Sequence, residues 1–312
     1  MYGYPREDLV RDYLDEFHIN FGSTLDEYFF ETQEVRIGRE PKKVIAVDTS
    51  SIRIAESARG VVVSIKGAAV LRELDGSTKV ESIGPFLFYI TRRNIVKILK
   101  EHSELLKSRS GYDFYLYAQK ILTELLERWL QEYVVEKFRD SIILFDGSLT
   151  SSSSSISPDS IEKILKKALE NGSEVLAFSK TCFLQVSGEP LQIIQTEKKP
   201  PYIIDLTRAL ESYNLGRFRL YGRTYLARLV KGSPGYRVDT YLQNDASTVF
   251  GLLLRSDPLV YGYPETLILA HDYSTFTRLD TITLQIMLKK MKVELLYPES
   301  VREMLFNPLD GG

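Results

Sequence analysis

Two aspartates that end apolar runs are the first residues in this chain that could do chemistry. Val44-Ile45-Ala46-Val47 runs into Asp48-Thr49-Ser50-Ser51, and Ile142-Ile143-Leu144-Phe145 runs into Asp146-Gly147-Ser148. A short β-branched and aromatic run bounded by turn residues reads as a buried strand. A carboxylate at the end of such a strand is costly to bury unless it is paired, hydrogen-bonded or bound to a metal. One such aspartate could simply cap a strand-to-turn transition. Two, with helical sequence between them, predict neighbouring strands that aim both carboxylates at one cation.

Other side chains fit the same chemistry. A third carboxylate should come from the intervening helix, read over 112–138 from Ile121, Leu122, Leu125, Leu126, Trp129, Leu130, Tyr133 and Val134. At about 100° per residue, Glu124 points almost opposite the apolar face, while Glu127 and Glu132 lie nearer its edges. Periodicity alone does not choose between those two. Lys180 follows the strand-like Val175-Leu176-Ala177-Phe178 and would neutralise a phosphate, although a solvated lysine looks the same in sequence. Arg228 and Arg237, on two later strand-like segments, are further phosphate contacts. His271 sits in an apolar helical context, where a structural histidine is common. It could also ligate metal through a neutral ring nitrogen, or orient a water or phosphate.

Composition narrows the class of site. The chain has 312 residues, 44% hydrophobic and 26% charged, as in ordinary globular proteins. With one cysteine, Cys182, and three histidines, neither a Cys-rich zinc site nor a multi-histidine centre is expected. A metal would be held mainly by carboxylates, which points to hard cations such as manganese or magnesium. Forty basic and 42 acidic residues give a net charge of −2 and no global nucleic-acid signature, so DNA would need a local patch or a partner's help. No apolar run reaches the roughly 18 residues of a membrane span, and the N-terminus shows no signal region. A cytoplasmic protein with no membrane contact is expected.

Stepping along the chain, residues 5–35 look helical, with Leu9, Tyr13, Phe17, Tyr28 and Phe29 at helix-like spacings, before Pro41 breaks the pattern. After the first aspartate-tipped strand come Ile52-Arg53-Ile54-Ala55, Gly60 to Ile65 and Gly67 to Leu74, with a turn at Asp75-Gly76. The serine-rich Ser148 to Ser157 reads as a flexible loop beside Asp146. A helix follows from Pro158 to about Leu169, ended by Asn171-Gly172. Tyr225 to Leu229 and Tyr236 to Tyr241 read as strands paired across Gly232-Ser233-Pro234-Gly235, and Glu265 to Tyr273 as a helix. A strand meander followed by helix, strand, helix, strand is the order of an α/β, ribonuclease H-like mixed sheet flanked by helices. No linker divides it, so one domain over 1–312 is expected: a helical extension (1–40), a core with insertions (41–290) and a tail (291–312).

The segments Val44 to Ser50, Leu144 to Leu149, Phe178-Ser179-Lys180-Thr181, and Gly262-Tyr263-Pro264 with Ala270-His271 together resemble the NurA nuclease family of archaea and bacteria. Thr49 departs from the glycine that many relatives carry, and both residues are small. The resemblance implies a manganese-dependent nuclease, with magnesium as an alternative. It would be a single-strand endonuclease and a 5′–3′ exonuclease on single- and double-stranded DNA. It also implies a homodimer that works with a HerA-type hexameric helicase in DNA-end resection and double-strand break repair. Among the helical glutamates it selects Glu127. It makes Asp48, Glu127, Asp146 and His271 the metal ligands and Tyr263 an active-site residue. Leu305, Phe306 and Leu309, or Leu9, Tyr13 and Phe17, are candidate contacts for the helicase, although core packing is the expected role for most of them. Two rival readings remain. An actin- or sugar-kinase-like ATPase needs a second glycine-rich phosphate loop and a duplicated half, and neither is present. A catalytically silent accessory subunit of a translocase would lack the carboxylates.

Overall fold

The structure, a computed structural model, describes residues 31–57, 59–98, 111–152, 158–180, 185–186, 189–190, 198–212 and 218–291. Its centre is a mixed sheet of β1 (Thr32–Glu34), β2 (Lys43–Ser57), β3 (Gly60–Arg72), β4 (Thr78–Thr91), β5 (Ser141–Asp146), β6 (Glu174–Ser179), β7 (Tyr202–Asp205), β8 (Arg223–Arg228) and β9 (Tyr236–Tyr241). Their order across the sheet is β1-β7-β8-β9-β6-β5-β2-β3-β4. β2 runs parallel to β5, and β5 to β6. The other neighbours are antiparallel. The stretch β4-β3-β2-β5-β6 therefore sets the first strand of the meander beside the fourth, as the element order predicts. The helices are α1 (Arg92–Ile98), α2 (Gly111–Lys137), α3 (Pro158–Glu170), α4 (Thr207–Ser212), α5 (Ala246–Ser256), α6 (Glu265–Ser274) and α7 (Arg278–Lys290).

Successive side chains of a strand point to opposite faces, and both faces of this sheet are covered. Val44, Ala46, Ile142, Leu144, Leu176 and Phe178 meet Val249, Phe250 and Leu253 of α5 and Leu267 and Ala270 of α6. Ile45, Val47, Ile143, Phe145, Val175 and Ala177 meet Leu130 and Val134 of α2 and Ile161 and Leu165 of α3. The alternation that places Val44 and Ala46, or Ile142 and Leu144, on the α6 side carries Asp48 and Asp146 to that side too.

Several expectations are corrected. β2 does not stop at Asp48. It continues to Ser57 and absorbs Ile52 to Ala55, with a register shift between Arg53 and Ala55. What ends there is its parallel neighbour, since the β2–β5 register closes at Val47 opposite Phe145. Asp48 thus lies beside the end of β5 rather than at its own strand's tip. Beyond it, β2, β3 and β4 project past the other strands. The first half of α2 packs on one face of this projection through Phe114, Ala118 and Ile121. Leu284 and Leu288 of α7 pack on the other.

Thr32–Glu34, expected to be helical, pairs with β7 at the sheet edge. Thr150–Ser152, expected to be loop, pairs with Phe218–Leu220. Residues 5–30 of the expected helix 5–35, with Leu9, Tyr13 and Phe17, lie outside the described residues, as do Cys182, the rest of the serine run, and the tail with Leu305, Phe306 and Leu309. Among the described residues, no helix is long and apolar enough to cross a membrane.

Candidate metal centre

Asp48 of β2, Asp146 at the end of β5 and His271 of α6 converge so that one donor atom from each lies within 4.8 Å of the others. Three segments distant in sequence build this cluster. The two strands are locked in register, and α6 crosses the face to which both aspartates point. His271 Nδ1 lies 2.9 Å from Asp48 Oδ2, and Ser274, one turn further along α6, donates its hydroxyl to the same oxygen at 2.8 Å. Sequence reading missed Ser274. Its spacing of three residues from His271 on a helix is the signal that could have found it.

Asp146 is held from two sides. The Tyr263 hydroxyl donates to Oδ1 at 3.1 Å, and Lys180 Nζ lies 2.7 Å from Oδ2. Burial pushes the Tyr263 phenol far above its ordinary value, and the charge of Asp146, the bond to it and the charge of Asp48 add to the rise. The phenol therefore stays a proton donor at any working pH. Its ring packs edge-on against Phe178 and Tyr236, and this fixes the hydroxyl over Asp146. Asp48, Asp146 and Lys180 keep 14%, 23% and 40% of their side-chain surface, and His271 keeps 49%. The cluster is therefore open to a substrate rather than sealed.

Glu127 approaches from α2, on the opposite face of the sheet from α6. It is not part of the cluster of donor atoms within 4.8 Å. Instead its carboxylate accepts from Gln131 Nε2 at 3.0 Å, and Gln131 is itself oriented by Arg128 at 2.6 Å. Part of the Glu127 residue reaches solvent, yet the carboxyl is packed among protein atoms. Its pKa is pushed up to about 7, chiefly by that burial; Arg128 opposes the shift, while Asp48, Glu124 and Asp146 add to it. The charges of both aspartates therefore act on this carboxyl from the other face of the sheet. Glu132, the other helical candidate, is exposed. Gly67 permits the close approach of α2. A Cβ there would come within 2.4 Å of Leu130 Cδ1 and 3.1 Å of Thr49 Cγ2, next to Asp48.

Of the later arginines, Arg237 is engaged within the protein. Arg237 makes a double hydrogen bond to Asp239, both contacts at 2.9 Å. Asp239 is fully buried, accepts from Thr224 at 2.8 Å, and accepts the Leu149 amide at 2.9 Å. The guanidinium expected to meet a phosphate is therefore turned inward. Through Asp239 it pins the chain just after Asp146. Ser179 supports the same turn by donating to the Gly147 carbonyl at 2.8 Å. Arg228 is buried in β8. Neither the Asp239 anchor nor the Gln131 relay was anticipated. Arg237 and Asp239 lie two apart on one strand, hence on one face, and that spacing was the available sign.

Two carboxylates and an imidazole form an oxygen-rich donor set with one nitrogen. That set suits manganese or magnesium better than a thiophilic ion.

A family model for the NurA domain matches residues 42–276. The chain is similar to the crystal structure of the NurA nuclease from Sulfolobus solfataricus, at 17% identity. The match covers 92% of this chain and 95% of that one with a TM-score of 0.54, which shows a shared fold. Weaker likenesses include endonuclease V of Bacillus subtilis (12% identity, 82% and 88% of the two chains, TM-score 0.38). Another is Ciona intestinalis endonuclease V in complex with an inosine-containing DNA (11%, 75% and 84%, TM-score 0.39). Comparison with curated proteins finds no match.

Proposed function

The chain belongs to the NurA family of nucleases, and from that membership we propose that it hydrolyses DNA phosphodiesters at the centre built by Asp48, Asp146 and His271, with Glu127 of α2 as a further carboxyl. The observation that carries this reading is the convergence of two carboxylates and an imidazole, from β2, β5 and α6, within 4.8 Å. Manganese, with magnesium as the alternative, would be held by those residues. When bound, such an ion lowers the pKa of a water and offsets charge on the phosphate and the leaving oxygen.

The protein's own groups divide the remaining work. Tyr263 keeps its proton and fixes the rotamer of Asp146. Ser274 and His271 fix Asp48. Glu127, with its raised pKa, is the carboxyl most ready to exchange a proton near neutral pH. Lys180 offers a cation on the open side of Asp146, where a scissile phosphate would be drawn in.

Beyond the reaction class, we assign to this chain single-strand endonuclease and 5′–3′ exonuclease activity and assembly as a homodimer. Work with a HerA-type hexamer in end resection is part of the same reading. With a net charge of −2, little counterion release is available for unaided DNA binding. A translocase that feeds DNA into the site supplies local concentration instead. A silent accessory role is disfavoured because every donor of the cluster is in place. The test is cleavage of plasmid and single-stranded DNA with manganese, with and without chelator. Chelator-sensitive cutting is expected, and no cutting under any divalent ion would overturn the reading.

A further inference from the structure

Tyr261 combines two properties that rarely coincide. It is 80% exposed, the most exposed of the large hydrophobic side chains among the described residues. Its backbone is also held at φ 50°, in the left-handed region. A bulky residue there is an outlier, and such a conformation is strained. The cause is local. Leu259 pairs with Pro264 and Val260 with Tyr263, so Tyr261 and Gly262 form a two-residue hairpin turn. Both turn residues have positive φ, 50° and 83°, the condition for a type I′ turn, in which Asn-Gly is the favoured pair. Gly262 is required, because a Cβ there would fall 2.7 Å from Ser233 Oγ. Tyr261 is not. Stability alone would favour asparagine or glycine in its place.

The turn is tied by hydrogen bonds at its tip and to the centre. The Tyr261 carbonyl accepts from the Tyr236 hydroxyl at 3.2 Å. Two residues on, the Tyr263 hydroxyl reaches Asp146 at 3.1 Å. Successive Cα atoms are about 3.8 Å apart, so the aromatic ring is presented within one or two residue lengths of the backbone that carries an active-site side chain. A nucleotide flanking a phosphate at Asp48 and Asp146 has this exposed ring as a neighbour on the same hairpin as Tyr263. Aromatic rings so placed stack on bases of any sequence.

We propose that Tyr261 is a nucleobase-stacking residue that grips an unpaired base of single-stranded DNA next to the scissile phosphate. The proposal rests on the nuclease reading above and deepens it by naming a contact for that substrate.

The test compares wild type with Tyr261→Asn and Tyr261→Trp on a fluorescent single-stranded oligonucleotide and on the same strand with one abasic position scanned across the cleavage site. Asparagine suits the turn, so Y261N should melt at the same temperature as wild type or higher. Its KM for single-stranded DNA should rise by about tenfold, the range of one lost stacking contact, with kcat changed less than KM. Y261W should retain tight binding. Wild type should lose affinity at one abasic position, and Y261N should be insensitive to it. If wild type cuts DNA but Y261N matches it in KM and in the abasic scan, the stacking role is overturned. If wild type neither binds nor cuts DNA with manganese, the nuclease reading falls and this proposal with it.

Discussion

Each acidic group at the centre has its own mode of restraint, and the variants that test it differ accordingly. Asp48 is held by Ser274 and His271, and Asp146 by Tyr263 and Lys180. An asparagine keeps the shape and can still accept from Ser274 or Tyr263, but it loses the charge a cation needs. Asp48→Asn and Asp146→Asn are therefore expected to cut DNA at least about a hundredfold more slowly, with melting temperatures close to wild type. Wild-type rates in either variant, measured with manganese on single-stranded DNA, would remove that residue from the centre. Glu127 makes a separate prediction for the metal-free protein. Its pKa rises from the ordinary 4.5 to about 7 in the fold, so the folded state binds the extra proton between those values. The stabilisation is full below about pH 4.5 and is lost as pH climbs through about 7. In chelator, denaturant unfolding should show wild type losing stability relative to Glu127→Gln across that window, with a flat difference on either side. A flat difference throughout would mean that the carboxyl is not desolvated as the structure has it.

At the level of elements, the helix that carries His271 is anchored at its far end rather than at the centre. Arg72, at the end of β3, bonds Asp257 at 2.9 Å and Glu265 at 2.5 Å. Asp257 also accepts the Thr266 amide at 3.1 Å and the Thr266 hydroxyl at 2.6 Å. Asp257 is fully buried, and burial raises its pKa against the pull of Thr266 and Arg72. This group clamps the first turn of α6 to the sheet. Removing one partner of a buried pair strands the other charge, at a cost of about 3–5 kcal/mol. Arg72→Met should therefore lower unfolding stability by about that much. Arg72→Met with Asp257→Asn should recover part of it, because no orphan charge remains. Activity should fall in step with the loosening of α6, although Arg72 touches nothing at the centre. A single variant as stable as wild type would show that the clamp contributes nothing.

For the molecule as a whole, composition and architecture bear on how DNA reaches the site. A near-neutral chain, with net charge −2, should bind DNA weakly by itself and with a shallow salt dependence. Mixing the protein with a HerA-type hexamer should give a co-eluting complex, and duplex digestion should become more processive when ATP is hydrolysed but not with a non-hydrolysable analogue. Separate elution and indifference to ATP would end the partnership proposal while leaving the nuclease reading intact.

Much of the centre was legible in the chain because local pattern encodes which side of a strand is buried. The apolar runs that lead into Asp48 and Asp146 already marked two strands, expected to lie side by side with their carboxylates aimed at one point. The turn at Asp75-Gly76, the β8–β9 hairpin and α6 were equally local, and the structure has them as read. Tertiary structure decided what depends on a partner far away in sequence. The small strand Thr32–Glu34 exists because the β7 edge offers it hydrogen bonds, which no helical spacing near residue 30 could reveal. β2 runs on past Asp48 because β3 continues to pair with it across a register shift. The Glu127 carboxyl is packed among protein atoms while Glu132 is exposed, and a helix's rotation about its axis is set by what it packs against. Arg237 faces Asp239 instead of solvent for the same reason. The strand pattern marks a side chain as inward, but only the assembled sheet determines that a buried carboxylate there needs it.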